Sequence, residues 1–389
     1  MSVAVGRTRV GLGAVGLGVL CALALVACAE TTARHLDGRD APAHRAGVLQ
    51  IRWRAQLHEH GLFEASPQEC ATGVVAHGRL VIGSRADSVV GVDVNHGHVD
   101  WATPISGGID SQARFDPARD IVYVGADDGN FYALDADRGS VRWSYHSKGA
   151  IERPPEIDAS NVYVATAADR VFSLDAATGK WRWGYERETP EGFTIHGYAG
   201  PRLAGRSLLS GFADGYLVSL AADNGEVLWA RSLASVSEQF VDVDSTPALD
   251  GESMYVSSYS GGLYALDTKD GGIRWRLGIE GASGLTFANQ QIYLAAPRLG
   301  VQALNASGHL LWRQGLTAAG ELTAPIVVGP YLIFSGSRAG MFVIDRQTGE
   351  LLETFNPGSG VCAAPTVDAD QQALYVLSNG GALYALDLL

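Results

Sequence analysis

The chain has 389 residues, of which 47% are hydrophobic and 18% are charged, so it can bury a large core. Its formal net charge of −13 argues against a nucleic-acid-binding protein or one that lies on an anionic lipid surface. The 48 glycines favour tight turns and short strands over long helices.

The N-terminus has the pattern of an export signal. A start containing Arg7 and Arg9 precedes an apolar run that ends in Leu25-Val26-Ala27-Cys28, which resembles the lipobox of bacterial lipoproteins. We expect residues 1–27 to be a signal peptide and Cys28 to be lipidated, with a plain secretory signal or a transmembrane anchor as the alternatives.

The residues after Cys28 predict a tether and a destination. By resemblance to Gram-negative lipoproteins, Ala29 favours export to the periplasmic face of the outer membrane. Residues 28–47 contain few apolar side chains and are expected to form a flexible lipidated tether. The folded domain is therefore expected over residues 48–389.

One short strand pattern recurs along the rest of the chain. It ends in Leu-Asp or a close variant, and successive copies are 38 to 46 residues apart, the length of a four-stranded propeller blade. The final residues of the eight copies are Asp93, Asp135, Asp175, Ala221, Asp267, Asn305, Asp345 and Asp387. The repeat predicts an all-β protein, an eight-bladed β-propeller of four-stranded blades.

A tryptophan strand follows most copies of the repeat. The tryptophans are Trp101, Trp143, Trp183, Trp229, Trp275 and Trp312. Glu353 takes this position in the seventh unit, the eighth unit has no such strand, and Trp53 lies in a strand with no repeat before it. We therefore expect the N-terminal strand to close the last blade as its outermost strand.

Glycines punctuate each unit at two places. Pairs such as Asp128-Gly129 and Gly261-Gly262 predict two-residue hairpin turns. A glycine four residues before each tryptophan, such as Gly139 before Trp143, predicts a left-handed backbone position.

The segment Ala133-x-Asp135-x-x-x-Gly139-x-x-x-Trp143 resembles the tryptophan-docking motif of quinone-dependent dehydrogenases. In that family the motif fastens blades together and does not form the cofactor site. Those enzymes also carry adjacent cysteines, which this chain lacks, and a longer chain. We expect no cofactor, no catalytic residues and no enzymatic activity.

Histidines and cysteines offer two further candidates. His58 with His60, and His96 with His98, are close in sequence, but no further ligand is evident nearby, so no metal site is expected. Cys70 and Cys362 lie in the matching stretches "ECATGVV" and "VCAAPTV" of the first and last units. An oxidising periplasm favours a disulfide between them, with a pair of buried thiols as the alternative.

Two neighbouring connections are longer than the others. Trp183 to Pro201 and Trp229 to Pro247 each span 18 residues, and insertions on one face of a repeat protein often mark its binding face. Together with the lipobox and the eight repeats, these loops resemble those of the BamB family, whose members are lipoproteins of the outer-membrane β-barrel assembly (BAM) machinery.

The resemblance implies a set of partner-binding residues. In that family, apolar residues and an arginine of the first loop and two aspartates of the second contact a POTRA domain of BamA. The matching positions are Phe193, Ile195, His196, Asp242 and Asp244. His196 stands where the family has arginine and cannot form the bidentate pair that arginine forms. The alternative is that Phe193 and Ile195 pack the loop and Asp244 caps a turn.

The resulting hypothesis is a lipid-anchored, monomeric periplasmic scaffold that binds a BamA-like POTRA domain and other outer-membrane assembly subunits. The alternatives are a propeller lipoprotein that senses or binds another ligand, and a quinone-dependent dehydrogenase.

Overall fold

The computed structural model describes residues 47–57, 68–188, 199–234, 241–282 and 284–389. Within these ranges the chain forms 32 strands and no helix. The strands associate into eight antiparallel sheets of four strands each. The sheets form a ring, so the predicted eight-bladed propeller is confirmed.

Blades 1 to 7 each use four consecutive strands, and the eighth combines the two ends of the described domain. The strands of blades 1 and 2 are β2 (Val74–Ala76), β3 (Arg79–Ser84), β4 (Ser88–Asp93), β5 (Val99–Pro104), β6 (Arg114–Asp116), β7 (Ile121–Gly125), β8 (Asn130–Asp135) and β9 (Val141–His146). Those of blades 3 and 4 are β10 (Glu156–Ile157), β11 (Asn161–Ala165), β12 (Arg170–Asp175), β13 (Trp181–Glu186), β14 (Arg202–Ala204), β15 (Ser207–Gly211), β16 (Tyr216–Ala221) and β17 (Val227–Ser232).

Those of blades 5 and 6 are β18 (Ala248–Asp250), β19 (Ser253–Ser258), β20 (Gly262–Asp267), β21 (Ile273–Leu277), β22 (Gly284–Ala288), β23 (Gln291–Ala296), β24 (Gly300–Asn305) and β25 (Leu310–Gln314). Blade 7 consists of β26 (Ile326–Val328), β27 (Tyr331–Gly336), β28 (Gly340–Asp345) and β29 (Leu351–Phe355). Blade 8 consists of β30 (Thr366–Asp368), β31 (Ala373–Leu377), β32 (Ala382–Leu388) and β1 (Leu49–Gln56).

The N-terminal strand closes the ring as predicted. β1 pairs antiparallel with β32, from Leu49 opposite Leu388 to Gln56 opposite Ala382. It thereby becomes the outermost strand of blade 8. Closure leaves blade 8 with four strands like its neighbours, so no blade lacks its outer strand.

The core lies between adjacent blades, because the middle two strands of each blade are apolar on both faces. The strands β7 and β8 are buried along nearly their whole length. One cluster of buried side chains joins blades 8, 1 and 2, including Tyr375, Val92 and Val124. Outer strands alternate between partly buried and exposed side chains, as β9 does. Burial on both faces is what a middle layer between two packed sheets requires.

The hairpins differ from the predicted two-residue turns. Ala126 and Asn130 form a backbone hydrogen bond of 2.9 Å, so three residues lie between them, and the Gly129 N–H donates to the Ala126 carbonyl. Among these three residues the left-handed conformation occurs only at Gly129, with φ of 87°. The two-residue expectation is wrong, because a three-residue loop ending in a left-handed glycine also matches the strand twist.

Candidate functional site

The tryptophan motif joins each blade to the next. Trp143 of β9 covers Gly179 of blade 3, where an added Cβ atom would lie 2.6 Å from the indole ring. Its Nε1 donates to the Ala176 carbonyl at 3.2 Å, and Tyr123 of the same blade donates to that carbonyl at 2.8 Å. Gly179 has φ of 70°, so it meets both a conformational and a steric requirement. The motif therefore holds blades together.

The packing of tryptophan on glycine recurs at six further blade junctions. The tryptophan–glycine pairs are Trp53–Gly97, Trp101–Gly139, Trp183–Gly225, Trp229–Gly271, Trp275–Gly308 and Trp312–Gly349. A residue set that repeats at almost every junction has a structural role, whereas a catalytic site needs one particular set.

Glu353 replaces the tryptophan at the remaining junction. Its Oε2 atom accepts hydrogen bonds from the backbone N–H groups of Val48, at 2.5 Å, and Leu49, at 2.9 Å. Leu49 is the first residue of the closing strand, and Val48 directly precedes it. A carboxylate at this position therefore fixes the start of β1 against blade 7, where the repeated motif would supply an indole ring.

The inner edges of blades 1 and 8 are covalently linked. Cys70 and Cys362 form a disulfide with a Cα–Cα distance of 5.2 Å across a sequence separation of 292 residues. Each cysteine lies four residues before the innermost strand of its blade, β2 or β30. Thr72 and Ala364 exchange two hydrogen bonds beside the disulfide. Together these contacts join the innermost strands of blades 1 and 8, β2 and β30, which lie near opposite ends of the described chain.

The two long connections carry the predicted partner-binding residues. Phe193, Ile195 and His196 lie outside the described residues. Asp242 and Asp244 are described, and they lie just before β18, the innermost strand of blade 5. The proximity of His196 to Asp242 therefore stays a prediction.

Asp242 and Asp244 lie between blades 4 and 5. The Val243 N–H donates to the Phe212 carbonyl of blade 4, while the Asp244 N–H donates to the Ser257 carbonyl of blade 5. Both aspartates are buried, with 2% and 5% of their surface exposed. The carboxyl groups thus belong to the packed interior of this end of the ring and differ from the surface side chains that a rim position suggests.

Two other charged residues, Arg153 and Glu321, interact with this pair, and Asp169 interacts with Arg153. Arg153 precedes the inner strand of blade 3 and is buried, and Glu321 precedes the inner strand of blade 7. Arg153 interacts electrostatically with Asp242, Asp244 and Asp169, and Glu321 interacts with Asp244. Blades 3, 5 and 7 are not adjacent, so these groups face one another across the axis of the ring. We call the five residues Arg153, Asp169, Asp242, Asp244 and Glu321 the axial charge cluster.

The axial charge cluster favours a protonated carboxyl group. The pKa of Asp244 is raised to about 8, mainly by burial and also by the charges of Asp242 and Glu321, while the Arg153 guanidinium opposes the shift. Burial lowers the pKa of Arg153, while Asp169 and the other acids raise it. The cluster thus contains four carboxyl groups and one guanidinium, an excess of acidic groups that favours an additional positive charge.

Arg153 and Glu321 were not among the residues that the sequence singles out. A signal does exist, because Ile151 and Val243 both pack against a glycine of the preceding blade, Gly125 or Gly211. Aligning the units on that apolar residue would have shown that charged residues follow it in both blades. That they meet across the axis depends on ring closure, which the alignment does not contain.

The histidine pairs have different outcomes. His58 and His60 lie outside the described residues. His96 and His98 lie in the turn between β4 and β5, and one ligand atom from each lies within 4.8 Å of the others and of an Asp93 carboxylate oxygen. Asp93 does not stand out as a ligand in the sequence, because it is the last residue of the repeated strand pattern.

Within the described residues, there is no helix long and apolar enough to cross a membrane.

Comparison with known proteins identifies the family that the two long connections resemble. The family described as "Outer membrane protein assembly factor BamB" matches residues 111–306 and 298–389, well over half of the chain. A protein of that name from Shewanella oneidensis is 26% identical over 278 residues, covering 70% of each chain. Another from Burkholderia pseudomallei is 27% identical over 384 residues, covering 94% of this chain and 96% of its own.

Solved structures show the same fold. The crystal structure of BamB from Moraxella catarrhalis superimposes with a TM-score of 0.75 at 24% identity, covering 87% of this chain and 99% of that one. A quinohemoprotein alcohol dehydrogenase from Pseudomonas putida reaches a TM-score of 0.67 at 14% identity, covering 88% of this chain and 76% of its own. At 14% identity the second likeness shows the fold alone, whereas the family match spans most of the blades. The chain belongs to the family of the outer membrane protein assembly factor BamB.

Proposed function

We propose that the protein is a non-enzymatic scaffold of outer-membrane β-barrel assembly that binds the POTRA region of a BamA-like subunit. The family match supports the assembly role. The rigid junctions between blades support a scaffold, because a binding surface mounted on closely packed elements keeps its geometry.

The proposed interface combines the two long connections with the axial charge cluster. Phe193 and Ile195 would supply apolar contacts, and His196 a polar one. Asp242 and Asp244 lie at the end of the second connection, within a cluster of four carboxyl groups and one guanidinium. This excess of acidic groups is the observation that carries the proposal, because it fits a basic side chain of the partner.

The buried aspartates suggest how such a contact works. A partner's lysine or arginine that reaches Asp244 would lower the pKa of its carboxyl group from about 8 and release the proton. The Asp244 carboxyl group, which favours the protonated form in the isolated protein, would then be ionised and pair with the partner's cation. Binding would accordingly release protons near neutral pH.

Binding to purified POTRA domains of BamA from the same organism tests the interface. Replacing Phe193 and Ile195 with alanine should weaken binding about tenfold or more, and Asp242→Asn with Asp244→Asn should weaken it without changing residue size. The matched control is Asp110→Asn, because Asp110 follows Ile109 in blade 2 as Asp244 follows Val243 in blade 5. Equal binding by all variants would contradict the proposed interface.

We also propose that Cys28 is lipidated and holds the protein on the periplasmic face of the outer membrane. The evidence is the lipobox and the position of β1, which is the outermost strand of blade 8. Labelled palmitate should enter the wild-type protein and not a Cys28→Ala variant, and the variant should fractionate with the soluble periplasm. Retention of the variant in the outer membrane would show that protein contacts suffice.

A further inference from the structure

The turn between β4 and β5 in blade 1 brings together two imidazoles and a carboxylate. One ligand atom each from Asp93, His96 and His98 lies within 4.8 Å of the other two. Imidazole nitrogen and carboxylate oxygen are ligands that zinc and the other late first-row divalent metals accept. We propose that this turn is a binding site for a divalent late-transition-metal ion such as Zn²⁺.

The spacing of the donor atoms fits a single ion. Asp93 Oδ1 and His96 Nδ1 are 2.9 Å apart, so one hydrogen-bonding proton lies between them. With zinc–ligand bonds of about 2.0–2.2 Å, two ligands of one ion lie roughly 3.0–3.5 Å apart. The ion would therefore replace that proton with little movement of either side chain. The His98 side chain is 62% exposed and has room to rotate the remaining distance.

The turn that carries these residues is rigid. Gly97 donates its N–H to the Asp93 carbonyl, and Asp93 donates its own N–H to the His98 carbonyl, each at 2.9 Å. Trp53 of the closing strand covers Gly97 and donates its Nε1 to the Val94 carbonyl at 2.9 Å. Backbone positions held in this way present the three ligands without a large ordering cost.

A second carboxylate orients one of the ligands. His98 Nε2 lies 2.9 Å from Asp100 Oδ1, and Arg79 donates to the other oxygen of Asp100 at 2.6 Å. Metal-binding histidines commonly have a carboxylate on the ring nitrogen that faces away from the ion. Asp100 also adds negative charge beside the ligands, which Arg79 offsets in part. Water would complete the coordination, since His96 and His98 are both exposed.

The other blades show that the turn itself does not need histidines. In blade 6 the corresponding turn runs from Asn305 through Ser307 and Gly308 to His309, and Asn305 Oδ1 accepts hydrogen bonds from Ser307 and His309 N–H groups. Asp93 performs the same capping in blade 1, accepting from Asn95 and His96 N–H groups. Among the described turns of this type, the pair of histidines beside a carboxylate occurs in blade 1.

Isothermal titration of the untagged, EDTA-stripped protein with ZnCl₂ near neutral pH tests the site. We expect saturable binding of one ion at this turn. His96→Gln, His98→Gln and Asp93→Asn should each weaken it about tenfold or more. Asn305 shows that asparagine fits this turn, so Asp93→Asn removes the negative charge and keeps the backbone cap.

Two controls separate this turn from other histidines. His309→Gln changes a histidine that follows glycine as His98 does, and it should leave binding unchanged. A variant with His58→Gln and His60→Gln should also retain it. Zinc should raise the unfolding temperature of the wild type and of both controls, but not of a variant with His96→Gln and His98→Gln. No saturable binding, or binding that this last variant retains, would overturn the proposal.

Discussion

Glu353 takes the position that tryptophan takes in the outer strands of the other blades. It pairs with Val343 as Trp143 pairs with Ala133, so the two side chains occupy the same place in their sheets. Its carboxylate accepts hydrogen bonds from the N–H groups of Val48 and Leu49, where the closing strand begins. Glu353 therefore departs from the repeat because it binds the start of β1, the strand that closes the ring.

Replacing Glu353 with alanine should weaken the closing strand. The loss of two charge-assisted hydrogen bonds leaves the N–H groups of Val48 and Leu49 without this acceptor, and we expect the free energy of unfolding to fall by about 1–3 kcal/mol. Urea denaturation measures the change. Glu280→Ala is the control, since this side chain is 82% exposed and should change stability little. An equal effect of the two variants would contradict the role of Glu353.

The buried carboxyl group of Asp244 predicts a pH dependence of stability. Its pKa is raised from 3.8 to about 8 in the folded protein, mainly by burial. A raised pKa means that the folded state binds the proton more tightly, so the contribution is full below pH 4 and is lost as the pH rises towards 8. The loss is at most about 6 kcal/mol.

Asp244→Asn should remove this contribution. The amide carries no charge at any of these pH values, so unfolding free energies measured between about pH 4 and 8 should decline less steeply for the variant than for the wild type. Asp110→Asn serves as a comparison, because the pKa of Asp110 is raised to about 6, and its effect should end at a lower pH. Parallel pH profiles for wild type and Asp244→Asn would refute the assignment.

At the scale of the elements, the tryptophan strands differ in their hydrogen bonds. Trp183 donates its Nε1 to the Ala222 carbonyl at 3.0 Å, whereas the Nε1 of Trp101 has no hydrogen-bond partner. Both rings cover a glycine of the next blade, Gly225 or Gly139. The packing is shared, and the hydrogen bond is not.

Trp183→Phe should therefore cost more stability than Trp101→Phe. Phenylalanine retains an aromatic ring over the glycine in both cases, and only the first substitution removes a buried hydrogen bond, worth about 1 kcal/mol. Parallel denaturation of the two variants measures the difference. A larger loss for Trp101→Phe would mean that ring size outweighs the hydrogen bond.

The elements were largely predictable because each unit repeats the same physical constraints. A left-handed glycine, a large flat side chain above it and alternating apolar strands recur with regular spacing, so the blade count and the place of β1 follow from residues such as Gly139, Trp143 and Trp53. Hairpin length did not follow, because Asp128-Gly129 suits loops of two or three residues. The pattern of the repeat fixes strands better than it fixes turns.

The candidate site was less predictable because its parts come from blades far apart in the sequence. Asp242 and Asp244 were expected from family resemblance, but their burial depends on packing between blades 4 and 5. Arg153 and Glu321 join them across the axis of the ring. Such an arrangement exists only after all eight blades have closed.

At the scale of the whole molecule, the disulfide acts on the ring rather than on one blade. Cys70 and Cys362 are separated by 292 residues, so their bond restricts nearly the whole unfolded chain. Cross-linking a long loop lowers the entropy of the unfolded state more than cross-linking a short one. The disulfide therefore stabilises the closed ring. Its removal should first destabilise the junction between blades 1 and 8.

Replacing both cysteines with alanine should lower the free energy of unfolding by about 2–4 kcal/mol. Hydrogen exchange should accelerate most in β1, β2 and β30, and least in blades 4 and 5 on the far side of the ring. Chemical denaturation and exchange mass spectrometry measure the two effects. Uniform acceleration in every blade would indicate that the ring opens as one cooperative unit.

The closing strand has a further consequence for the order of the chain. The Leu389 N–H donates to the Val48 carbonyl at 2.8 Å, so the two ends of the propeller meet in one sheet. A short linker between them, with new termini cut at the exposed turn around Gly205, would give a circular permutant with the same eight blades. Its blade 8 would be continuous and its blade 4 would be assembled from both ends. The ring of eight blades therefore does not depend on the blade in which the polypeptide begins.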